Sequence, residues 1–499
     1  MTRPTNDEPA PAESVSTRAR TPSQQRCLLI AVAAGVFVAA DDQTSIVTVL
    51  PALIQDIGLT VDDLYQASWV VNGYLLGYLI ALPIVGRIAD VYGHARVYAT
   101  ALAIFMLGSA LVAASPTFGA IVASRALQAV GGGAVVPVAM AIVVDELPKG
   151  RRLIGLGAVA AASEAGALLG PLWGGAITEW FGWRMVFWVN LPMSLPVLVV
   201  VWRLAGNRRR HESIDWLGAV ILGLALAILT FALADDPNDA RPLPVTFALL
   251  TSAAALAALF WWHEHVTPAP LVRPGLLKTR HAIAANLGSL LVGGGLITAL
   301  IGVPLFVNLV LVGSPLDGGL TLMRLTVAVP VGALAGGYLA SRLGLRLVAA
   351  TGMLLAAVGF AGLQLWTEDL SELLRTVPLL IGGLGFGLVI APLSAAVLQG
   401  LDESERATAA SWLTLARVTG MLIGAAVLTS SGLGRFYARA GAIEFDSPEF
   451  SQLIVEAEVS TFREVFVAAV ALMLVAALVA WFIGRGERDG ESEPWWTIT

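Results

Sequence analysis

Apolar runs long enough to cross a lipid bilayer recur along the whole chain, and they limit its fold more than any other feature. A helix needs about 20 such residues to span a ~30 Å hydrocarbon layer. Only helices and closed barrels satisfy their own backbone hydrogen bonds there. Read by apolar continuity, the spans fall near 27–52, 66–85, 97–114, 118–145, 153–177, 184–204, 215–234, 245–263, 284–311, 319–340, 347–366, 374–400, 409–432 and 462–484, fourteen in all. Composition agrees, since 57% of the residues are hydrophobic and 13% are charged, about half the charged share of a soluble domain. The chain reads as an all-α polytopic membrane protein.

Several function classes drop out at once. A net charge of −6 without a basic stripe excludes nucleic acid as a partner. The single cysteine, Cys27, excludes an intramolecular disulfide and a cysteine metal cluster. The five histidines (His94, His211, His263, His265, His281) lie in loops or at span ends, which disfavours a membrane lipid enzyme. The glycine-rich "GGLGFG" (Gly382 to Gly387) follows no strand, so it is no phosphate loop. No cofactor is expected, and with no nucleotide site the proton gradient is the expected energy source.

Residues 1–26, rich in Pro, Ser, Thr and Ala, read as a disordered cytoplasmic tail, and 485–499 as a second cytoplasmic tail. No cleavable segment precedes the first span, which is expected to serve as its own insertion signal. An even number of spans places both termini on one side. With the termini inside, Lys149-Gly150-Arg151-Arg152 and Arg208-Arg209-Arg210 are cytoplasmic, and the outside keeps Arg184, Arg241, Arg375, Arg435, Arg439 and Arg463. The positive-inside rule favours that orientation, in a cell membrane.

Internal similarity supplies the architecture. "GRIADVYGHAR" (Gly86 to Arg96) and "GYLASRLGLR" (Gly337 to Arg346) share a Gly-x-x-Ala-x-x-x-Gly pattern 251 positions apart. Gly166 and Gly170 match Gly420 and Gly424 at 254, and Pro137 matches Pro392 at 255. Near-equal offsets imply two parallel six-helix halves, 27–204 and 284–484, with two extra helices and their linkers in 205–283. Parallel halves are a transporter design that binds substrate between them at mid-depth.

Three acids inside apolar spans carry the candidate chemistry. "VAADDQTSIV" (Val38 to Val47) sets Asp41 and Asp42 in an apolar run, and "EAGALLG" begins with Glu164 in the fifth span. Intramembrane carboxylates are costly, and proton relays are a frequent use of them. Asp41 and Asp42 lie about 100° apart on a helix, so they cannot face one cavity equally. At the repeat offset, Ser163 and Glu164 match Arg417 and Val418, which would let Glu164 and Arg417 pair across a central cavity.

These motifs resemble the major facilitator superfamily, and within it the fourteen-helix drug:proton antiporter branch. "DQTSIVTVLP" (Asp42 to Pro51) resembles the first-helix signature of that branch, which singles out Asp42 as the working acid. "GRIADVYGHAR" resembles the cytoplasmic loop signature, with Gly86, Asp90, Gly93 and Arg96 in a gate. "RALQAVGGGAVVP" resembles the fourth-helix motif that adds Arg125 to the gate. "GALLGPLWGG", with "WRMVFWVNLP" after it, resembles the antiporter packing motif, here Gly166, Gly170, Pro171 and Gly174. Departures also occur. Val91 stands where the loop signature has a basic residue, His94 is the next basic position, and Ser341 replaces the second-half acid, which together imply a weaker cytoplasmic latch. "ASEAGALLGP", "LGFGLVIAPLS" and "ARVTGMLIG" resemble a narrower group, the mycobacterial triacylglyceride and lipoglycan exporters, which work beside a lipid-carrying lipoprotein.

The expectation is a proton-coupled exporter of hydrophobic or amphiphilic compounds such as drugs, with Asp42, Glu164 and Arg417 coupling protons to transport. Lipid export with an extracytoplasmic lipoprotein partner is the alternative, and a monomer is the family's usual state. Trp69 and Tyr74 are expected among the cavity walls, and 434–464 as an amphipathic outer segment.

Overall fold

A computed structural model describes residues 21–57, 64–204, 214–233 and 241–484, apart from 269, 273–274, 276–278, 312–314, 368–369, 400, 403–404, 429–431 and 441–449. Within them the chain forms fifteen helices and no strand. The first half is α1 (Pro22–Ile57), α2 (Leu64–Tyr92), α3 (His94–Ala114), α4 (Phe118–Glu146), α5 (Lys149–Phe181) and α6 (Trp183–Leu204). An inserted pair follows, α7 (Trp216–Leu233) and α8 (Leu243–Val266). The second half is α9 (Arg280–Leu309), α10 (Pro315–Leu343), α11 (Leu345–Leu363), α12 (Glu372–Leu398) and α13 (Arg406–Val427), then the short α14 (Leu433–Ala440) and α15 (Phe450–Ala480). All but α14 are long and apolar enough to cross a membrane, which gives fourteen spans. The two described ends of the chain therefore share one face, called here the terminal face.

Helix ends differ from the apolar limits for a local reason. α9 starts at Arg280 because Thr279 caps it, its hydroxyl accepting from the Ala282 N–H at 3.2 Å. α1 likewise starts at Pro22, inside the stretch read as a tail. Polar first turns extend helices past their apolar cores. Residues 1–20 and 485–499 lie outside the described residues.

The repeat is visible in the packing. α1 lies against α5 and α6, α2 and α3 against α4, and α3 against α6. The same pairings recur as α9 with α13 and α15, α10 and α11 with α12, and α11 with α15. Glycines set the closest crossings. A Cβ on Gly166 would sit 2.3 Å from Phe37 O, and one on Gly420 1.9 Å from Leu290 O, so both halves need glycine at the same point. Loop turns repeat too. Gly93 (φ 94°) and Gly344 (φ 91°) occupy the left-handed region just before α3 and α11, where a side chain would strain the backbone.

The inserted hairpin is peripheral, with 11% of the α8 window buried against 83% for α4. It packs against α2 and α13. Phe260 stacks on Trp412 of α13, centroids 6.2 Å apart, and Trp69 of α2 meets Phe231 of α7 at 6.4 Å. A polar knot closes the hairpin base, where His263 Nε2 lies 2.8 Å from Asp215 Oδ2 and Glu264 accepts from the Val272 N–H at 2.7 Å.

The halves meet through α2 with α13, α4 with α13, α5 with α10 and α5 with α12. Two glycines face each other in the α5–α10 seam: a Cβ on Gly157 would lie 2.8 Å from Ala333 O and 3.2 Å from Gly337 Cα. Small residues let helices approach and slide. Gly157→Leu should therefore hold this seam apart. On a Cys27→Ser background with Leu393→Cys in the cleft, membrane-impermeant maleimide should label the leucine variant faster from the terminal face than the parent. An unchanged labelling pattern would show that the glycine contact does not control closure.

Candidate functional site

Between the halves lies a cavity of about 220 Å³, bounded by α1, α2, α4 and α5 on one side and α9, α10, α12 and α13 on the other. Most of its wall is aliphatic, including Val136, Leu168, Val292, Leu296, Val329 and Leu393. Gln43, Thr44, Ser163, Thr326 and Thr414 add polar atoms. Trp69 and Tyr74 are not in this wall: Trp69 packs on the inserted hairpin, and Tyr74 is buried against Arg125 of α4.

Glu164 and Arg417 meet across the cavity as their repeat positions implied. Both Nη atoms of Arg417 donate to one oxygen, Glu164 Oε1, at 3.3 Å each. The side chains keep 15% and 27% of their surface and line the cavity. A charge-assisted hydrogen bond is normally ~2.7–2.9 Å, so this pair is loose and reachable by water. It is also a direct ionic contact between the two halves.

Asp42 is held very differently. Its residue exposure is 0%, and it accepts from Arg125 Nη1 at 2.7 Å, Gln128 Nε2 at 2.9 Å and Asn190 Nδ2 at 2.6 Å. Arg125 also donates to Gln128 Oε1 at 2.8 Å, and Asn190 donates to Ser109 Oγ at 3.0 Å. The guanidinium lies over the Tyr74 ring at 4.3 Å. Arg125 Nε and Nη2 and the Tyr74 hydroxyl are sealed from solvent without a hydrogen-bond partner among the described residues. The network ties α1, α2, α3, α4 and α6 together. Arg125, expected in the gate, is a partner of Asp42 inside the first half. Gln128 and Asn190 stand inside the quoted motifs without having been singled out. The signal for Gln128 was its place three residues after Arg125, one turn along the same helix face. Nothing in the sequence pointed Asn190 at Asp42.

At the terminal face, Asp90 leaves its own half to cap α13. Its Oδ1 accepts from the Ala407 N–H at 2.9 Å, and its Oδ2 accepts from the Thr408 N–H at 2.9 Å and the Thr408 hydroxyl at 2.6 Å. α13's own N-cap residue, Glu405, supplies no side-chain cap, so the carboxylate satisfies orphan donors and meets the positive end of the helix dipole. His94 stands between two acids, with Nε2 2.9 Å from Asp90 Oδ1 and Nδ1 2.6 Å from Asp145 Oδ2. Arg406 of the second half pairs with Asp145. The basic role missing at Val91 is thus filled by His94 and Arg406, and the latch is not short of a cation. Gly86 makes the approach feasible, since a Cβ there would sit 2.8 Å from Ala407 O. Gly93 turns the chain into α3, where Arg96 is half-buried in the first turn.

The packing residues lie where α5 crosses α1. A Cβ on Gly170 would meet Asp41 O at 2.5 Å, and one on Gly174 would meet Ser45 O at 2.8 Å. Pro171 sits inside α5 between them. On the face away from the termini, Arg184 pairs with Asp56. The hydrogen bond from Arg184, and then that from Trp183, holds the Asp56 carboxyl below the usual carboxylate range. The segment 434–464 contains most of α14 and the start of α15, joined by ion pairs from Arg435 and Arg439 to Glu464. Its middle, 441–449, lies outside the described residues.

Residues 32–425 match the Major Facilitator Superfamily. The chain belongs to the major facilitator superfamily. This major facilitator is 33% identical to a triacylglyceride transporter of Mycolicibacterium smegmatis, over 93% of this chain and 89% of that one. It is 34% identical to a second, from Mycolicibacterium hassiacum, over 93% of each chain, and 32% identical to one from Mycobacterium tuberculosis, over 93% and 96%. The crystal structure of the human organic anion transporter MFSD10 shares its fold, with a TM-score of 0.63 at 18% identity, over 92% of this chain and all of that one. The major facilitator described here is therefore a multi-pass membrane transporter and not an enzyme.

Removing one member of a buried pair leaves the other uncompensated, which typically costs ~3–5 kcal/mol. Asp42→Asn should lower the unfolding temperature of detergent-purified protein, and adding Arg125→Gln should restore part of the loss. Additive losses in the double variant would show that the two charges are not a unit.

Proposed function

We propose that the protein is a proton-coupled exporter of hydrophobic, lipid-like molecules across a cell membrane, driven by the proton gradient without a cofactor and working as a monomer. In this reading the terminal face is cytoplasmic, the Asp90 latch closes that side, and the cavity exchanges with the outside. The observation that carries the reading is the loose Glu164–Arg417 pair, which joins the two halves at the cavity wall. Protonating Glu164 removes one charge of an interdomain contact and frees the halves to rock. A ligand shifts a conformational equilibrium only by its differential affinity for the two states, and a proton on Glu164 has such a difference.

Magnitudes limit what this pair does alone. A partly exposed ion pair contributes on the order of 1 kcal/mol. Inverting a two-state population from 1:99 to 99:1 takes about 5.5 kcal/mol. Other protonatable groups and the substrate itself must supply the rest.

Relatives named triacylglyceride transporters and an aliphatic cavity wall support neutral lipid as the cargo. One observation favours the second reading, export of small drugs: a cavity of about 220 Å³ cannot enclose a three-chain lipid in this conformation. For lipid export, the outer segment around α14 and the start of α15 would guide the acyl chains towards an extracytoplasmic lipid-carrying partner.

Two measurements test these proposals. In proteoliposomes under an imposed pH gradient, Glu164→Gln and Arg417→Leu should each reduce gradient-driven transport, and the double variant should lose clearly less than the sum, by an interaction of about 0.5–3 kcal/mol. Independent losses would detach the pair from coupling. Replacing 440–458 by a Gly/Ser linker should impair movement of a fluorescent triacylglyceride more than efflux of a small cationic dye. Equal effects on both would favour the drug exporter.

A further inference from the structure

Asp41 and Asp42 are neighbours in α1 with opposite surroundings. Asp42 is saturated by three side-chain donors, one of them cationic. Asp41 is also buried, at 3% exposure, yet among the described residues its carboxyl has no hydrogen-bond or ion-pair partner. α5 presses on its turn of helix, since a Cβ on Gly166 would sit 3.0 Å from Asp41 N and one on Gly170 2.5 Å from Asp41 O. Ala40 and Thr44, which flank it along α1, line the cavity. The Asp41 backbone thus lies in the α1–α5 seam, next in the chain to the cavity-lining Ala40.

The charged and titratable groups on the surrounding elements are accounted for. Arg125 on α4 is engaged by Asp42, and Arg417 by Glu164 of α5. α2 contributes Tyr74 and Tyr78, which bring no positive charge. α6 contributes Asn190, which already donates to Asp42. Among the described residues no cation remains to neutralise Asp41, and an ionised carboxylate buried beside a second one without a partner is strongly disfavoured.

The geometry points to Asp41 as a second proton-binding site of the transport cycle, separate from the locked Asp42 and cooperating with Glu164. The inference rests on the proton-coupled reading above. The step is a proton transfer alone. One O–H bond forms as the carboxylate takes a proton from a hydronium ion on the side to which the cavity opens, and the hydronium O–H bond breaks to leave water. The carboxyl O–H bond breaks when the halves rock and the edge of the cavity meets water on the other side. The hydrogen bonds around Asp42 tie α1 to α4 and α6 beside this site.

Infrared difference spectroscopy on purified full-length protein tests this directly, through the carbonyl-stretch band of a protonated carboxylic acid near neutral pH. Wild type should show the band, Asp41→Asn should lose it, and Asp41→Glu should restore it at a shifted position. Asp41→Asn should also keep the wild-type unfolding temperature, because it orphans no partner. In proteoliposomes loaded with a fluorescent triacylglyceride, the gain in transport from an imposed pH gradient should fall roughly tenfold in Asp41→Asn and return in Asp41→Glu. A band untouched by Asp41→Asn, or an asparagine variant that responds to the gradient like wild type, overturns the assignment. A wild type indifferent to the gradient would instead sink the proton-coupled reading, and the infrared band would still judge Asp41 by itself.

Discussion

The first half is organised around one buried ion pair. Arg125 at 2.7 Å from Asp42, with Gln128, Asn190, Ser109 and Tyr74 around it, draws five of the six helices of that half to a common centre. Taking two charges out of water costs several kcal/mol per ion, so such a pair is tolerable only with good geometry and further donors. Both conditions hold on the Asp42 side. With this centre fixed, α1 presents Gln43 and Thr44 to the cavity and leaves Asp41 at the seam with α5.

The second half repeats the topology with a different cohesive element. Where the first half has charge, the second has rings. Phe306 meets Trp366 and Phe462, each at 5.4 Å, while Phe360 meets Phe386 at 6.0 Å and Phe466 at 6.3 Å. These contacts link α9, α11, α12 and α15 through dispersion and edge-to-face geometry. The contacts between halves are unequal as well. The α2–α13 side is latched by Asp90, His94, Asp145 and Arg406, whereas the equivalent α5–α10 side has Ser341 in place of an acid and closes on Gly157 and Gly337. One side of the interface is polar and directional, and the other is apolar and free to slide.

Much of this was legible in the sequence for simple reasons. Fourteen spans follow from apolar length, because the bilayer admits little else. The Glu164–Arg417 pair follows from the repeat, since a shared offset converts two distant positions into facing ones. The roles of Asn190 and of Asp145 with Arg406 were not legible. Each joins residues more than a hundred positions apart with no periodicity to connect them, and their meeting depends on helix rotation that composition does not encode. His94 illustrates a second limit. A valine at the usual basic position, with a histidine as the next basic residue, reads as a weakened latch until the two histidine nitrogens are seen between two carboxylates.

The contrast between an ionic centre and an aromatic one also sets how each half absorbs sequence change. Volume-conserving apolar exchanges in a packed core usually cost less than ~1.5 kcal/mol, so the ring cluster of the second half can drift one residue at a time. The charge network of the first half has no such single steps, because every individual replacement strands a polar partner in a site sealed from water. A lineage of such transporters can therefore retune its second half gradually, while its first half must change in concerted pairs or stay as it is.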